Sequence, residues 1–270
     1  MKLLSSFFVL LLSACAGAPT PEGRRLTANT LASARGWQGE VIAAPGFDLA
    51  AYLPNTITPA KSLTIYFEGD GHAWQNNRLP STDPSPIEPL ALRLALAQPA
   101  GNAAYLARPC QYVNAGASSC DSRYWTGARF APEVITAISQ AIDVLKTRFG
   151  AQHLTLVGYS GGAAVAALLA QRRTDIERLV TVAGNVNPTA WTTFHQVTPL
   201  RESLDPMQAR ALLGQISQWH FVGSRDTVVP PQLVAAFTAG LPKAQTITLE
   251  GYNHTCCWAE NWPQLWASIQ

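Results

Sequence analysis

The chain has 270 residues, of which 47% are hydrophobic and only 13% are charged. Because soluble domains usually carry ~25% charged residues, the sequence excludes long disordered acidic or basic tails and allows a large buried core. The 19 Lys and Arg residues against 17 Asp and Glu residues leave a net charge of +2, which argues against a nucleic-acid partner, since nucleic-acid binding needs a clustered basic face.

The N-terminal residues are typical of an export signal. A single cation, Lys2, precedes an apolar run from Phe7 to Leu12 that is too short to span a membrane. The stretch Leu12-Ser13-Ala14-Cys15 resembles a bacterial lipobox, which implies a signal peptide over 1–14 and a lipid on the Cys15 sulfur. Ala16 follows instead of Asp, so the resemblance implies an outer-membrane anchor facing the periplasm. An ordinary signal peptide with an incidental Cys is the alternative.

Residues 15–36 are small, polar and proline-bearing. This composition is typical of a linker, so we expect a tether between the lipid and a single domain spanning 37–270. The low charge agrees with attachment to the membrane by lipid and not by a basic face. We find no internal repeat and no second linker, and we expect a monomer.

Beyond Glu40, strand-like and helix-like segments alternate along the chain. Continuous apolar runs such as 154–157 are typical of strands buried on both faces, and the alternation predicts a mostly parallel eight-stranded sheet with helices on both faces. The predicted strands are 40–44, 48–53, 62–67, 103–107, 153–158, 178–183, 218–222 and 245–249. The predicted helices are 87–97, 132–148, 161–173, 231–239 and 258–268.

A candidate nucleophile follows the fifth strand. The sequence Gly158-Tyr159-Ser160-Gly161-Gly162 lies between an apolar strand and an Ala-rich helix. A turn this sharp holds the Ser in a strained conformation, and side chains at the two outer Gly positions would collide with neighbouring backbone. The pattern therefore predicts that Ser160 is presented at the end of the sheet, near the N-terminus of the next helix.

With this turn between a strand and a helix, the chain resembles the α/β-hydrolase fold over residues 40–270, without a large lid. The resemblance implies an acid and then a His, in that order along the chain. Asp226 follows the strand 218–222, and His254 follows the last strand. His254 would take the proton of the Ser160 hydroxyl and return it to the leaving group, while Asp226 would orient the imidazole.

Other titratable residues compete for these roles. His153 and His220 lie at or within strands, where a structural role is favoured. His72 and His195 lie on loops and could contact substrate. Asp205 precedes a proline and is interpreted as a helix N-cap.

A serine hydrolase also needs two N–H donors for the anionic intermediate. One is expected from Gly161, and the second from Asp70 or Gly71 in the loop Glu68-Gly69-Asp70-Gly71-His72 after the third strand. Two carboxylates so close to an oxyanion would hinder catalysis, so we expect them to be turned away or paired. Arg108 is a candidate partner. A surface turn with incidental charge is the alternative.

Four cysteines remain after Cys15. In an oxidising compartment an even number suggests disulfides, and three pairings are possible for Cys110, Cys120, Cys256 and Cys257. Closure of Cys110 with Cys120 would stabilise a small loop and is preferred. A bond between the adjacent Cys256 and Cys257 would be strained, so links from these two to Cys110 and Cys120 are the alternative. No Cys-x-x-Cys pair is present, so we expect no metal site.

The segment 185–215 takes the position of a lid but is too short for a helical cap. We expect it to form one wall of an open, partly aromatic cleft, to which Trp125 on another loop would also contribute. The candidate substrate contacts are Tyr159, Trp74, Trp191 and His195.

Further motifs carry the resemblance beyond the fold. Glu-Gly-Asp-Gly, Leu-Ala-Arg-Pro-Cys-Gln-Tyr, Tyr-Trp-Thr and His-Thr-Cys-Cys-Trp together look like a group of bacterial lipoprotein α/β-hydrolases. The hypothesis is a serine hydrolase that cleaves small-molecule or lipid-like esters or thioesters without a cofactor. A peptidase or acyltransferase with the same three residues, and a non-catalytic envelope binding protein, are the alternatives.

Overall fold

A computed structural model describes residues 18–113 and 119–269. Within them the strands are β1 (Trp37–Ala44), β2 (Phe47–Pro54), β3 (Ser62–Phe67), β4 (Asn102–Leu106), β5 (His153–Tyr159), β6 (Ile176–Val182), β7 (Ser217–Gly223) and β8 (Ala244–Leu249). They form one sheet in the order β1-β2-β4-β3-β5-β6-β7-β8. All strands are parallel except β2, which pairs antiparallel with both β1 and β4.

Helices cover both faces of this sheet. They are α1 (Pro21–Ser33), α2 (Leu90–Ala97), α3 (Pro132–Phe149), α4 (Gly161–Ala170), α5 (Pro188–Phe194), α6 (Pro231–Thr238) and α7 (Trp262–Ala267). One hydrophobic cluster joins the sheet to α3, α4 and α6, and a second joins it to α1, α2 and α7. Two apolar layers therefore enclose the sheet, as expected for strands that are apolar on both faces.

The predicted α/β-hydrolase fold is confirmed, and its eight strands lie where the apolar runs predicted them. In β5, Leu154, Leu156 and Val157 are all buried, which explains why this strand reads as a continuous apolar run. Helix α3 begins with Pro132 at its first turn and ends before Gly150, whose φ of 63° suits a glycine.

The tether expected over 15–36 is corrected by helix α1. Thr20 caps this helix by accepting a hydrogen bond from the Gly23 N–H at 3.1 Å, and Ala28 and Ala32, one turn apart, are fully buried against the domain. Arg24 is also buried and lies 3.4 Å from Asp83. Small residues made this segment look like a linker, but small residues also allow a helix to approach the sheet closely.

The segment 185–215 contains only α5 and the 3₁₀ helix Pro206–Gln215, in agreement with the absence of a large lid. A further 3₁₀ helix, Ser122–Trp125, precedes α3. Across the described ranges 18–113 and 119–269, no helix has the length and apolar character needed to cross a bilayer. The signal peptide and the lipidation site Cys15 lie outside the described residues.

Candidate active site

Ser160 lies in the turn that joins β5 to α4. Its backbone has a φ of 50°, in the left-handed region that residues with a side chain seldom adopt. A Cβ atom on Gly158 would meet the backbone of Gly162 and Ala163, and one on Gly162 would meet the carbonyl oxygens of Phe67 and Glu68. Both outer glycines of the motif are therefore required by backbone contacts.

Asp226 follows β7 and is buried at the end of that strand. Its Oδ1 atom accepts hydrogen bonds from the Val228 and Val229 N–H groups, both at 2.8 Å. Its side chain is 0% exposed. These two bonds hold the carboxylate in one orientation and leave Oδ2 available for another donor.

His254 follows β8 and lies between Asp226 and Ser160. Its Nδ1 atom is 2.9 Å from Asp226 Oδ2, and its Nε2 atom is 3.0 Å from Ser160 Oγ. Because a carboxylate only accepts hydrogen bonds, Nδ1 carries the proton and Nε2 can accept the Ser160 hydroxyl proton. The structure thus brings together the three residues that the sequence analysis selected.

The loop of His254 is held from both sides. Tyr159 donates its hydroxyl to the His254 carbonyl oxygen at 3.2 Å, and the Trp258 indole donates to the same oxygen at 3.1 Å. Tyr159 also stacks obliquely on the imidazole, with ring centroids 5.3 Å apart. The imidazole is therefore positioned by residues on two separate elements.

The loop Glu68–Gly71, called the oxyanion loop below, lies directly beside Ser160. A Cβ atom on Gly69 would be 3.2 Å from the Ser160 Cβ atom. The Gly69 N–H donates to Glu68 Oε1 at 3.0 Å, and the N–H of the next residue after the loop, His72, donates to the Pro84 carbonyl oxygen at 3.1 Å. In the described part of the chain, these bonds leave the Asp70 and Gly71 N–H groups without an assigned acceptor.

Asp70 is paired, as expected, and it has two partners. Its Oδ1 atom accepts from Arg108 and its Oδ2 atom accepts from Arg129. Burial alone would raise the pKa of Asp70, but the charges of Arg129 and Arg108 outweigh burial and lower this pKa. Asp70 therefore stays ionised, and the cluster of two cations and one anion carries a net positive charge. The sequence analysis identified Arg108 and missed Arg129.

Glu68 is turned into the protein and is 1% exposed. Its Oε1 atom accepts from the N–H groups of Gly69, at 3.0 Å, and Ala91, at 3.3 Å, and its Oε2 atom accepts from the Tyr105 hydroxyl at 3.3 Å. Burial raises the pKa of Glu68 to about 7, although these hydrogen bonds oppose the shift. This carboxyl group is therefore partly neutral near physiological pH.

A cavity of about 350 Å³ opens in front of Ser160 and His254. Of the four predicted substrate contacts, Tyr159 and Trp191 line it, and so does His72. Trp74 and His195 do not line it, so substrate contact by these two stays a prediction. The other lining residues are Glu68, Gly69, Asp70, Gly71, Pro86, Ile87, Glu88, Asn185, Val228 and Val229.

His195, Trp74 and Trp125 make contacts outside the cavity. His195 Nε2 and the Trp191 indole nitrogen both lie within hydrogen-bond distance of the Val228 carbonyl oxygen, at 2.8 and 2.7 Å. His195 therefore supports the wall that Trp191 forms. Trp74 pairs with Pro80 in a short hairpin and is 42% exposed. Trp125, expected in the cleft, is instead buried in a small cluster with Cys110.

The other titratable residues considered for the catalytic roles make structural contacts. His220 is fully buried, its Nδ1 atom lies 2.9 Å from the Thr181 hydroxyl, and burial lowers its pKa to about 3. His153 lies on the surface, 3.2 Å from Glu177. Asp205 accepts from the Met207 N–H at 2.9 Å and caps the 3₁₀ helix that follows. None of these three lines the cavity.

The cysteines form two local pairs. Cys110 is bonded to Cys120, the preferred pairing, with Cα atoms 5.6 Å apart. Cys256 is bonded to its neighbour Cys257, the pairing that the sequence analysis disfavoured as strained. No disulfide links the His254 loop to the loop after β4 in the described residues. As far as the structure is described, it also has no group of three or more His, Cys, Asp or Glu side chains that could hold a metal ion.

Comparisons of the whole structure find other hydrolases with the same fold. Est1E from Butyrivibrio proteoclasticus, solved with ferulic acid, has a TM-score of 0.61 at 16% identity and covers 85% of this chain and 98% of its own. An α-β serine hydrolase homologue from Coxiella burnetii has a TM-score of 0.57 at 17% identity, covering 86% and 95%. A Pyrococcus furiosus esterase has a TM-score of 0.58 at 13% identity, covering 86% and 88%.

Sequence comparison assigns a family. A search of curated proteins finds no significant match. A family model described as serine hydrolase (FSH1) matches residues 102–255, which include Ser160, Asp226 and His254. Since this match spans more than half of the chain, the protein belongs to the FSH1 serine hydrolase family and is a serine hydrolase.

Proposed function

We propose that this hydrolase cleaves carboxylic esters, including thioesters, through an acyl-enzyme formed on Ser160. The observation that carries the proposal is the position of His254, whose two ring nitrogens lie 2.9 Å from Asp226 and 3.0 Å from Ser160. A serine hydroxyl is a poor nucleophile until a base takes its proton, and His254 is within reach to do so.

The reaction follows from this arrangement. Ser160 Oγ attacks the carbonyl carbon while its proton moves to His254 Nε2, and Asp226 stabilises the resulting imidazolium. The tetrahedral intermediate then expels the alcohol or thiol, which receives the proton from His254. Water, deprotonated by the same imidazole, releases the acid and restores Ser160.

The negative charge of the intermediate needs donors that are already in position. One is the Gly161 N–H, which begins helix α4 and has no acceptor within its own helix. The second comes from the oxyanion loop, where the Asp70 and Gly71 N–H groups are available. The net positive charge of Asp70, Arg108 and Arg129 beside this loop favours the same intermediate.

The cavity indicates the size and character of the substrate. A volume of about 350 Å³ suits a small ester better than a long acyl chain. Ile87, Trp191 and Val228 supply apolar surface, so we propose an apolar or aryl group on the acyl or alcohol side. His72 and Glu88 offer polar contacts at the same cavity.

Two measurements test this function. A fluorophosphonate probe should label Ser160 in the folded protein, and Ser160→Ala should abolish labelling. A series of p-nitrophenyl esters from acetate to palmitate should then be turned over best at short and medium chain lengths. Absence of labelling in folded protein would contradict the proposal, and palmitate as the best substrate would contradict the proposed size.

We also propose that the protein is exported and anchored through a lipid on Cys15. The support is the signal-like run and the resemblance to a lipobox in the first 15 residues. Helix α1 begins at Pro21, so only a short linker would separate the lipid from the domain. At ~3.5 Å per extended residue, that linker keeps the domain within roughly 20 Å of the bilayer.

Mass spectrometry of the mature protein from membranes tests the anchor. The N-terminal peptide should begin at Cys15 and carry the mass of a lipid, and Cys15→Ser should release the protein into the soluble fraction. An intact bond between residues 14 and 15 in cells would contradict the proposal. Outer-membrane fractionation then tests the location.

A further inference from the structure

One buried side chain outside the three candidate catalytic residues contacts the backbone of the oxyanion loop. Gln111 is 2% exposed and lies in the turn after β4. Its Nε2 atom donates to the Gly69 carbonyl oxygen at 3.0 Å. A side-chain donor to a carbonyl of this loop controls the orientation of a peptide group next to Ser160.

The peptide joining Gly69 to Asp70 is planar and trans, so its C=O and N–H groups point in opposite directions. Because Gln111 holds the Gly69 oxygen on the buried side of the loop, the Asp70 N–H is directed away from Gln111. Both Gly69 and Asp70 line the cavity. The same bond that engages the carbonyl therefore orients the N–H that the sequence analysis named as a possible second donor.

The Gln111 amide has only one favourable orientation. Its Oε1 atom accepts from the Arg108 N–H at 3.1 Å, while Nε2 faces two carbonyl oxygens, of Gly69 at 3.0 Å and Pro84 at 3.5 Å. A flipped amide would place its oxygen against both carbonyls and its NH₂ group against an N–H donor. The bond to Gly69 is therefore fixed before substrate arrives.

The backbone beside this amide is tightly packed. Gly71 has a φ of 64°, and a Cβ atom there would meet the Pro84 carbonyl oxygen first, with Gln111 Nε2 at 3.0 Å and Pro86 at 3.1 Å. Next to Gln111, Cys110 has a φ of 69° although it carries a side chain. Such positions are costly and are kept where neighbouring structure requires them.

We propose that Gln111 is a positioning residue that directs the Asp70 N–H toward the oxyanion of the intermediate. The proposal rests on the proposed acyl-enzyme mechanism, since it assigns the second donor of that mechanism. Gln111 does not touch the substrate. It acts through the Gly69–Asp70 peptide, so its loss weakens binding of the transition state more than binding of the substrate.

The test compares the full-length wild type with two substitutions at position 111. Gln111→Met removes the donor and keeps the bulk, and Gln111→Ala removes both the donor to Gly69 and the acceptor for the Arg108 N–H. Both should lower kcat for a p-nitrophenyl ester about 10- to 100-fold, with KM within about two-fold, since removing one oxyanion donor costs on this order. The rate of fluorophosphonate inactivation should fall in parallel.

Gln218 provides a matched control. It is 0% exposed, and its Nε2 atom donates to the Leu213 carbonyl oxygen at 2.9 Å, away from the cavity. Gln218→Met should lower the melting temperature as Gln111→Met does, and it should retain wild-type kcat. An equal loss of kcat in Gln218→Met would overturn the proposal by making the effect one of stability.

The remaining outcomes distinguish failure of the proposed function from failure of the role of Gln111 alone. Wild type that is not labelled by the fluorophosphonate would overturn the proposed function itself. Labelled wild type, together with a folded Gln111→Met variant of unchanged kcat and inactivation rate, would overturn only the role of Gln111. Full activity in Gln111→Ala would also overturn that role, because the donor to Gly69 would then be dispensable.

Discussion

Two segments meet at Ser160 and reach their conformations in different ways. The nucleophile turn Gly158–Gly162 depends on its own glycines, because any Cβ atom on the outer two would meet nearby backbone. The oxyanion loop Glu68–Gly71 depends instead on distant residues, including Arg108, Arg129 and Gln111. The first segment can be recognised from five consecutive residues, and the second cannot.

Within the oxyanion loop, two carboxyl groups one residue apart behave in opposite ways. Among the described residues Glu68 forms no ion pair, and burial raises its pKa to about 7. Asp70 is paired with Arg129 and Arg108, which lower its pKa against the effect of burial. Partners, and not the type of side chain, therefore decide which group is charged next to the active site.

The largest expected effect is at Ser160, the proposed nucleophile. Ser160→Ala should reduce ester turnover by a factor on the order of 10⁴–10⁶, since the residual rate comes only from binding and the oxyanion donors. Steady-state kinetics measures this change, with circular dichroism to confirm the fold. Turnover within ten-fold of wild type would show that Ser160 is not the nucleophile.

The next effect concerns the acid. Asp226→Asn should lower kcat about 10³- to 10⁴-fold, because an amide can hold the imidazole in the wrong tautomer. Asp205→Asn is the matched control, since the Asp205 carboxylate also accepts a main-chain N–H bond but caps a 3₁₀ helix away from the cavity. Its kcat should equal that of the wild type. A larger loss at Asp205 would reverse the assignment of the acid.

Asp70→Asn tests the dependence of the oxyanion loop on distant charges. It should destabilise the fold by about 3 kcal/mol, because it leaves two buried guanidinium groups without their anion. It should also lower kcat/KM about ten-fold as the loop loses its anchor. Urea unfolding and steady-state kinetics measure the two effects.

Asp175 is the control for Asp70. It also pairs with two cations, Lys146 and Arg173, but it lies away from the cavity. Asp175→Asn should reduce stability and leave kcat/KM unchanged. If both variants lose activity in proportion to stability, the Asp70 cluster has no special relation to the active site.

Gly162→Ala tests the local requirement of the nucleophile turn. The added methyl group would meet the Phe67 and Glu68 carbonyl oxygens, so we expect a loss of about 1–3 kcal/mol in the free energy of unfolding. Gly214→Ala is the control, since the nearest atom to its Cβ would be 3.8 Å away. Its stability should stay within about 0.5 kcal/mol of wild type. Equal effects would argue against a tight turn.

The last effect is a pH dependence of stability at Glu68, which leaves the catalytic step untouched. Its pKa is about 7 in the folded protein against 4.5 for an ordinary Glu. The folded state therefore binds more protons than the unfolded state between these values, and stability falls as pH rises from 4.5 to 7.

Glu68→Gln removes this dependence. The variant should gain stability relative to wild type between pH 5 and pH 8, by at most on the order of 3 kcal/mol, the equivalent of the pKa shift. The urea midpoints of wild type and variant at pH 5 and pH 8 measure this difference in stability. A difference that does not change with pH would show that Glu68 titrates in the same way in both states.

Several features of this protein could be predicted from its residues. Apolar runs located the inner strands, because a strand covered on both faces must be apolar throughout, while the edge strands β1 and β8 are largely exposed. The order Ser160, Asp226, His254 could be read because each residue follows a strand, and the ends of parallel strands meet at one edge of the sheet. Helix α1 was missed, since Ala28, Ala32 and Arg24 are buried only by contacts with distant segments.

The residues that line the cavity could not be predicted from the sequence either. Trp74, Trp191 and His195 all lie on loops, and nothing in their local sequence distinguishes the one that lines the cavity from the two that do not. Arg129 and Gln111 were not selected either, because their partners in the oxyanion loop lie about 40 to 60 residues earlier in the chain. Only the folded backbone brings these side chains to the loop.

Local patterns along the chain were enough to predict the fold class, the turn at Ser160 and the order of Ser160, Asp226 and His254. These features depend on periodicity and on short motifs, in which each residue is constrained by its immediate neighbours. Long-range contacts were needed to establish which carboxyl group of the oxyanion loop is charged, which N–H groups of that loop have no acceptor among the described residues, and which aromatic residues line the cavity. Those properties depend on burial and on charges from distant segments, which no local pattern encodes.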